Sequence, residues 1–229
     1  MTTRRAATDS PAPRDTRGSL IRAAEQLFAA RGVDGVSLNE INRAAGQRNP
    51  SALQYHFSDR AGLLQAVLDK HNPGIDARRD ALLQQCRGFG TEGDLSTLAA
   101  ALVLPPAAKL ADPDGGRAFL RITAELLTRP VPLIDAIWAD RQIGSITTWR
   151  RLLEPLLPPE STNILHTRFT AIRFCHVELA ARAAADPRPD DRLFTTRLVD
   201  LVTALLAAPV SQQTARLLEE RGARKRPVS

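Results

Sequence analysis

The sequence predicts an all-α protein: an N-terminal three-helix, helix-turn-helix domain followed by a larger helical domain. Three observations carry that fold class. Apolar residues recur at three- and four-residue spacing along most of the chain, with almost no β-branched alternation of the kind a strand needs. Long stretches are built from Ala, Leu and Arg, all good helix formers. Pro and Gly cluster between those stretches, where they end helices rather than interrupt them.

Residues 1–14, MTTRRAATDSPAPR, have no apolar pattern and read as a disordered, mildly basic arm, either inert or touching DNA backbone or minor groove. From Thr16 the pattern changes. Leu20, Ala23, Ala24, Leu27 and Phe28 fall on one helical face, and Gly32 stops that helix. In Ser37-Leu38-Asn39-Glu40 a Ser precedes a Glu by three positions, so a capping box starts a second helix at Ser37. Ile41, Ala44 and Ala45 continue its inner face, and Gly46 ends it. Asn49-Pro50 supplies an N-cap and a first helical residue, which predicts a third, short helix over 50–57. Leu53, His56 and Phe57 share one of its faces; Ser51, Gln54 and Tyr55 share the other.

Asp59 caps a fourth helix over 59–71 carrying Leu63, Leu64, Val67 and Leu68, and Asn72-Pro73-Gly74 is expected to break it. Further helices are expected over 75–87, 95–110, 115–128, 133–157, 161–185, 190–207 and 212–220, with Pro105-Pro106, Pro130, Pro132, Pro158-Pro159, Pro187 and Pro209 marking ends. The chain then divides into the arm 1–14, a helix-turn-helix domain 15–60, a larger domain 61–208 and a basic tail 209–229.

Two short helices joined by a turn, behind a longer helix, can lay the second of the pair in a DNA major groove. Leu53 and Phe57 are the anchors toward the first helix, which frees Ser51, Gln54 and Tyr55 to face DNA. Gln54 can pair bidentately with adenine, Ser51 can reach a base edge or phosphate, and Tyr55 a phosphate or a thymine methyl. Arg48 and Asn49 sit in the turn, where a guanidinium can meet phosphate or guanine. His56 reads as a packing or phosphate residue rather than a metal ligand.

Composition is consistent with this. The 229 residues leave room for a sizeable core, and the formal net charge of +6 suits a polyanionic partner. Cys86 and Cys175 read as two free thiols in a reducing, cytoplasmic compartment, and no run reaches the length of a membrane span. The sequence holds no Gly-x-Ser-x-Gly, no Walker loop, no His-Glu-x-x-His and no dinucleotide fingerprint, so no enzyme, metal or cofactor is expected.

The spacing of Ala23-Ala24, Leu27-Phe28, Arg31-Gly32, Ser37-Leu38, Ile41, Ala44-Ala45-Gly46, Leu53, Tyr55-His56-Phe57 and Leu63-Leu64 resembles the N-terminal domain of the TetR family of bacterial transcriptional regulators. The likeness runs over about residues 16–70. It departs from the family in a lengthened turn, Gln47-Arg48-Asn49-Pro50, in Gln54 where tyrosine is common, and in Asn42 where alanine is common. The resemblance implies phosphate contacts from Ser37, Arg60 and Arg17, together with Thr16.

For the remainder the resemblance implies a helical domain that dimerises and binds a small effector. The segments 161–185 and 190–207, apolar over more than one face, suit an intersubunit four-helix bundle or, equally, the core of a monomer. Phe119, Ile122, Leu126, Trp138, Ile146 and Trp149 are candidates to line an effector pocket, with Arg121, Glu125, Arg141, Gln142, Arg173 and His176 to orient a ligand. The expected function is a homodimeric repressor released from a palindromic, double-stranded operator by a small apolar effector, with helix 59–71 as lever and 72–74 as pivot. A helical small-molecule-binding protein whose helix-turn-helix does not bind DNA is the alternative.

Overall fold

The computed structural model describes residues 15–49, 51–91, 93–129 and 144–224, and every regular element among them is helical. In chain order these are α1 (Thr16–Arg31), α2 (Leu38–Ala44), α3 (Ala52–Phe57), α4 (Arg60–Gly88), α5 (Leu95–Ala107), α6 (Gly116–Thr128), α7 (Ser145–Leu153), α8 (Pro159–Asn163), α9 (Thr167–Ala184), α10 (Arg192–Ala207) and α11 (Gln212–Arg224). Short 3₁₀ turns, Ala108–Ala111 and Glu154–Leu156, extend α5 and α7. No single helix among the described residues is long and apolar enough to cross a membrane.

The first helices start where short polar side chains meet free amides. Asp15 accepts from the Gly18 N–H at 2.9 Å, Asp59 from the Gly62 N–H at 2.8 Å, and Asp94 from Thr97 at 3.1 Å. Gly46 closes α2 at φ +68°, a conformation that a side chain disfavours.

The expected break at Asn72-Pro73-Gly74 does not occur. α4 runs unbroken through all three residues for about 43 Å. Its buried stripe explains this: Leu64, Val67, Leu68, His71, Ile75, Arg79, Leu83 and Cys86 pack continuously on both sides of the proline, while Pro73 and Gly74 lie on the exposed side. Burial of that stripe outweighs the roughly 3 kcal/mol penalty of an interior proline. The expected helix 75–87 is therefore the second half of α4.

The expected helix 161–185 is also corrected. The amides of Ile164 and Leu165 both fold back onto the Glu160 carbonyl, at 3.1 and 2.9 Å, which closes α8. His166 then takes a left-handed φ of 52° and α9 starts afresh at Thr167. Of the expected helix 133–157, residues 133–143 lie outside the described residues.

α6 packs most extensively on α9 and, on another side, on α1; α5 is held between α10 and α4; α9 and α10 pair; and α7 lies across α4 and α5. One contiguous core runs from Leu20 and Phe28 in α1 through Leu63 to Leu68, Leu98 to Val103, Phe119 and Trp149, ending at Leu206. Both α4 and α6 thus touch α1.

Candidate nucleic-acid interface

α2 is fixed by the capping box. The Ser37 hydroxyl accepts from the Glu40 N–H at 3.2 Å, and the Ser37 N–H returns a bond to the Glu40 carboxylate at 2.8 Å. That backbone N–H, then Arg31 at 2.7 Å, then the Ser37 hydroxyl hold the Glu40 carboxyl down to about 2. The Ser37 hydroxyl also donates to Glu40, at 2.8 Å, so a phosphate at Ser37 would compete with a bond already made.

The connection from α2 to α3, residues 45–51, is longer than the three or four residues, roughly, of a minimal helix-turn-helix. It satisfies itself internally. The Gln47 N–H bonds the Asn42 carbonyl at 3.0 Å, the Gln47 side chain bonds the Ala45 carbonyl at 3.1 Å, and Asn49 Oδ1 accepts from the Ser51 N–H at 2.9 Å. Asn49 is thus not the N-cap expected of it: it stands two positions before α3's N-cap, Ser51, and holds that residue's N–H, and α3 begins at Ala52. Pro50 lies outside the described residues. Arg48 is exposed and has no partner among the described residues.

On α3, Leu53 and Phe57 are buried, whereas Ser51, Gln54 and Tyr55 face outward, Tyr55 86% exposed. α3 packs chiefly against α4 and α2 rather than against α1 as expected; α1 reaches it through Arg17, whose guanidinium stands 5.2 Å from the centre of the Phe57 ring. His56 is half-buried, edge-on to Tyr55. Arg60 is half-buried: it donates to the Val33 carbonyl and lies 5.9 Å from the Phe28 ring centre, so one of its donors serves the fold. Arg48, Asn49, Ser51, Gln54 and Tyr55 therefore form one exposed edge, with exposed Arg17 stacked on the Phe57 end of α3.

The seam between this unit and the rest of the chain was missed by sequence reasoning. Glu25 of α1 is buried and accepts from His71 Nε2 at 2.8 Å and from Lys70 Nζ at 2.9 Å, both on α4. Lys70 also reaches Asp114 at 2.9 Å, and His71 Nδ1 stands 3.9 Å from Asp112. A Cβ at Gly115, where φ is +83°, would overlap the Glu25 carboxylate, so glycine permits this close approach. At the other end of α6, both oxygens of Glu125 accept from the Val33 N–H, at 3.0 and 3.1 Å, and Arg129 bridges Glu125 to Asp34 at 2.7 Å each. α6 is fastened to the helix-turn-helix unit at both ends. One sequence signal pointed there: Glu25 interrupts the apolar stripe Ile21–Ala24–Phe28, and a carboxylate on a core face demands partners.

The described residues among the predicted effector-pocket candidates lie in the core, at the seam or on the surface. Phe119 is buried at the seam, its ring 4.6 Å from the His71 imidazole. Ile122 is core, and Trp149 is fully buried with its indole N–H on the Leu98 carbonyl at 2.7 Å. Arg173 is exposed, its guanidinium 5.6 Å from the centre of the Phe169 ring. His176 is buried and donates from Nδ1 to the Ile172 carbonyl at 2.9 Å; desolvation pushes it down to about 4. Trp138, Arg141 and Gln142 lie outside the described residues. Beside this region, buried Arg79 donates to Ser145 at 2.8 Å and to the Ala101 carbonyl at 3.2 Å, and burial pushes the free Cys175 thiol up to about 12.

Comparison with known proteins bears on the same segment. Residues 20–67 match the family described as "Bacterial regulatory proteins, tetR family". The HTH-type transcriptional regulator TtgR of Pseudomonas putida is 42% identical over 55 residues, 24% of this chain and 26% of that protein. The probable HTH-type transcriptional regulator ArpR, also of Pseudomonas putida, matches to the same extent. The matched region thus spans about a quarter of the length of these curated relatives. A bacterial regulatory protein in the tetR family from Rhodococcus RHA1 superposes with a TM-score of 0.57 at 20% identity, over 86% of this chain and 100% of that one. A HlyIIR mutant protein gives 0.55 at 16% identity, over 87% and 100%. At such identities the likeness is one of fold.

Proposed function

We propose that this chain, whose residues 20–67 match the tetR family of bacterial regulatory proteins, is a sequence-specific DNA-binding transcriptional regulator acting as a homodimeric, cytoplasmic repressor. The observation that carries the reading is the division of α3 into a buried anchor, Leu53 and Phe57, and an exposed face, Ser51, Gln54 and Tyr55, inside the matched segment. Gln54 reads a base edge, Arg48 a guanine or phosphate, and Arg17, Asn49 and Tyr55 hold the backbone. Ser37, His56 and Arg60 are secondary phosphate contacts, because each is partly engaged within the fold.

The dimer forms through α9 and α10. Phe169 and Val177 on α9 and Leu193 on α10 are exposed apolar side chains on helices that already pair with each other. A two-fold partner would place two copies of α3 in successive major grooves, about 34 Å apart on a palindromic operator.

A small effector releases the operator by favouring a state in which those helices are wrongly spaced. The route is α6 and α4, which grip α1 through Glu25, His71 and Glu125; the pivot expected at 72–74 is replaced by rigid motion of the whole of α4. Turning a 99:1 bound population to 1:99 requires about 5.5 kcal/mol of differential effector affinity. Catalysis, metal and cofactor have no part in this reading.

The test is selection of bound duplexes from a random DNA pool at near-physiological salt. A two-fold symmetric site is expected, and Gln54→Ala should relax one base position in each half-site. Enrichment of no sequence by a folded sample would move the assignment to a small-molecule-binding protein.

A further inference from the structure

A cavity of about 470 Å³ opens between α4 and the end of α5, away from every side chain that the sequence nominated for an effector. Its size falls in the range of small-molecule sites, roughly 300–1,000 Å³. Ile75, Pro105, Ala108 and Ala111 supply apolar wall, and Gly74 leaves open space where a side chain would stand. The charged groups are two cations, Arg78 and Lys109, against one acid, Asp112. Arg78 is exposed and makes no ion pair or hydrogen bond among the described residues. Lys109 is tied to Asp112 at 2.8 Å, and that bond is the main reason the Asp112 carboxyl lies below its usual range.

We propose that this cavity binds a small organic anion with an apolar body, its charge held between Arg78 and Lys109 and its hydrocarbon against Ile75, Pro105 and Ala108. A guanidinium and an ammonium at one mouth hold a carboxylate by charge-assisted hydrogen bonds. The apolar wall adds affinity that a bare inorganic anion would not gain.

Occupation has a consequence at the seam. Lys109 turned toward the ligand leaves Asp112, and Asp112 stands 3.9 Å from His71 Nδ1, on the opposite side of the ring from Glu25. An Asp112 without Lys109 competes with Glu25 for His71 and loosens the hold of α4 on α1. This second step rests on the regulator reading given above; the binding itself does not.

The experiment is titration of the ¹⁵N-labelled full chain with sodium hexanoate, with 1-hexanol as the uncharged control, followed by NMR. Saturable shifts are expected at Gly74, Ile75, Arg78, Ala108, Lys109 and Asp112 with hexanoate and not with hexanol. Arg78→Gln, an exposed change that leaves the core intact, should weaken hexanoate by about tenfold. Gly74→Leu should fill the cavity and abolish binding while the protein stays folded. Shifts that map elsewhere, equal binding of hexanol, or wild-type affinity in both variants would overturn the site. Amide exchange at residues 21–28, read in the same samples, tests the relay: faster exchange on saturation supports it, and unchanged exchange removes it while the site stands. Since neither readout uses DNA, failure to find an operator leaves this result intact.

Discussion

The helix-turn-helix unit and the larger unit are both helical and share one core, yet they place their polar groups differently. In α1 to α3 and the start of α4 the polar work is local: Asp15 with Gly18, Ser37 with Glu40 and Asp59 with Gly62 each pair across three residues at a helix start. In the larger unit buried bonds reach far along the sequence, Arg79 with Ser145 and Trp149 with the Leu98 carbonyl, and Arg182 pairs with Asp191 nine residues on. A local cap contributes about 1 kcal/mol and is replaceable. Breaking a buried charged pair leaves its partner desolvated and costs several times more. Stability and sequence legibility therefore run in opposite directions along this chain.

The seam is where this contrast is put to its hardest test. Glu25 belongs to the locally capped unit but is buried against partners 45 and 46 residues away. Glu25→Ala leaves buried His71 without its carboxylate, while partly exposed Lys70 keeps Asp114, and should destabilise the protein by about 3 kcal/mol in urea unfolding. Glu25→Gln keeps an acceptor and should recover part of that loss. A Glu25→Ala cost no larger than that of a surface cap would show that the seam behaves as solvated surface.

The next test uses acid. Burial holds His176 of the larger unit near 4 in the folded state, against an ordinary value of 6.5. Below pH 6.5 the unfolded chain takes up a proton that the folded one refuses, so stability present above 6.5 is lost progressively as pH falls to about 4. The loss attributable to His176 is on the order of 3 kcal/mol. His176→Phe should flatten that limb of the stability–pH curve; an unchanged limb would assign the acid sensitivity to other groups.

A smaller effect is expected at the α3–α4 corner. A Cβ on Gly62 would overlap the Phe57 carbonyl oxygen, a backbone atom that cannot swing aside. Gly62→Ala should cost about 2 kcal/mol, as overpacking does, and should weaken DNA binding further than stability alone explains, because it moves the end of α3. A variant with intact DNA affinity would show that the corner is more compliant than its geometry implies.

These regions also differ in how far the sequence revealed them. The capping box at Ser37, the glycine stop at Gly46 and the Leu53/Phe57 anchor are short-range patterns, so they were readable from spacing alone. The break expected at Asn72-Pro73-Gly74 failed because tertiary burial on both sides of Pro73 overrode a local penalty. Arg48, Gln54 and Tyr55 were legible as exposed edge residues, but the self-satisfied turn around Asn49 was not, since it depends on backbone geometry. The pocket residues were unreadable for a different reason. Tryptophan and phenylalanine at helical spacing describe a core and a cavity lining equally well, and the Arg78–Lys109 cavity is assembled from segments some thirty residues apart.

The smallest effect discriminates best. Ser37→Ala removes the cap of α2 and should cost about 1 kcal/mol. It also deletes the hydroxyl bond to Glu40 while leaving the backbone N–H and Arg31, so the Glu40 carboxyl should rise from about 2 toward its ordinary range without reaching it, as a ¹³C titration would show. The sign follows: Glu40 contributes stability present above pH 4.5 and lost as pH falls toward 2, and in the variant that loss is smaller and is complete at a higher pH. DNA then separates the two roles of one hydroxyl. If Ser37 only caps, the folded variant keeps the wild-type affinity for operator and random duplex alike, because no phosphate contact has gone. If Ser37 also holds a phosphate, affinity falls alike for all sequences at an unchanged salt slope, since a hydroxyl displaces no counterion, and an affinity unchanged within error would confine the residue to the helix it starts.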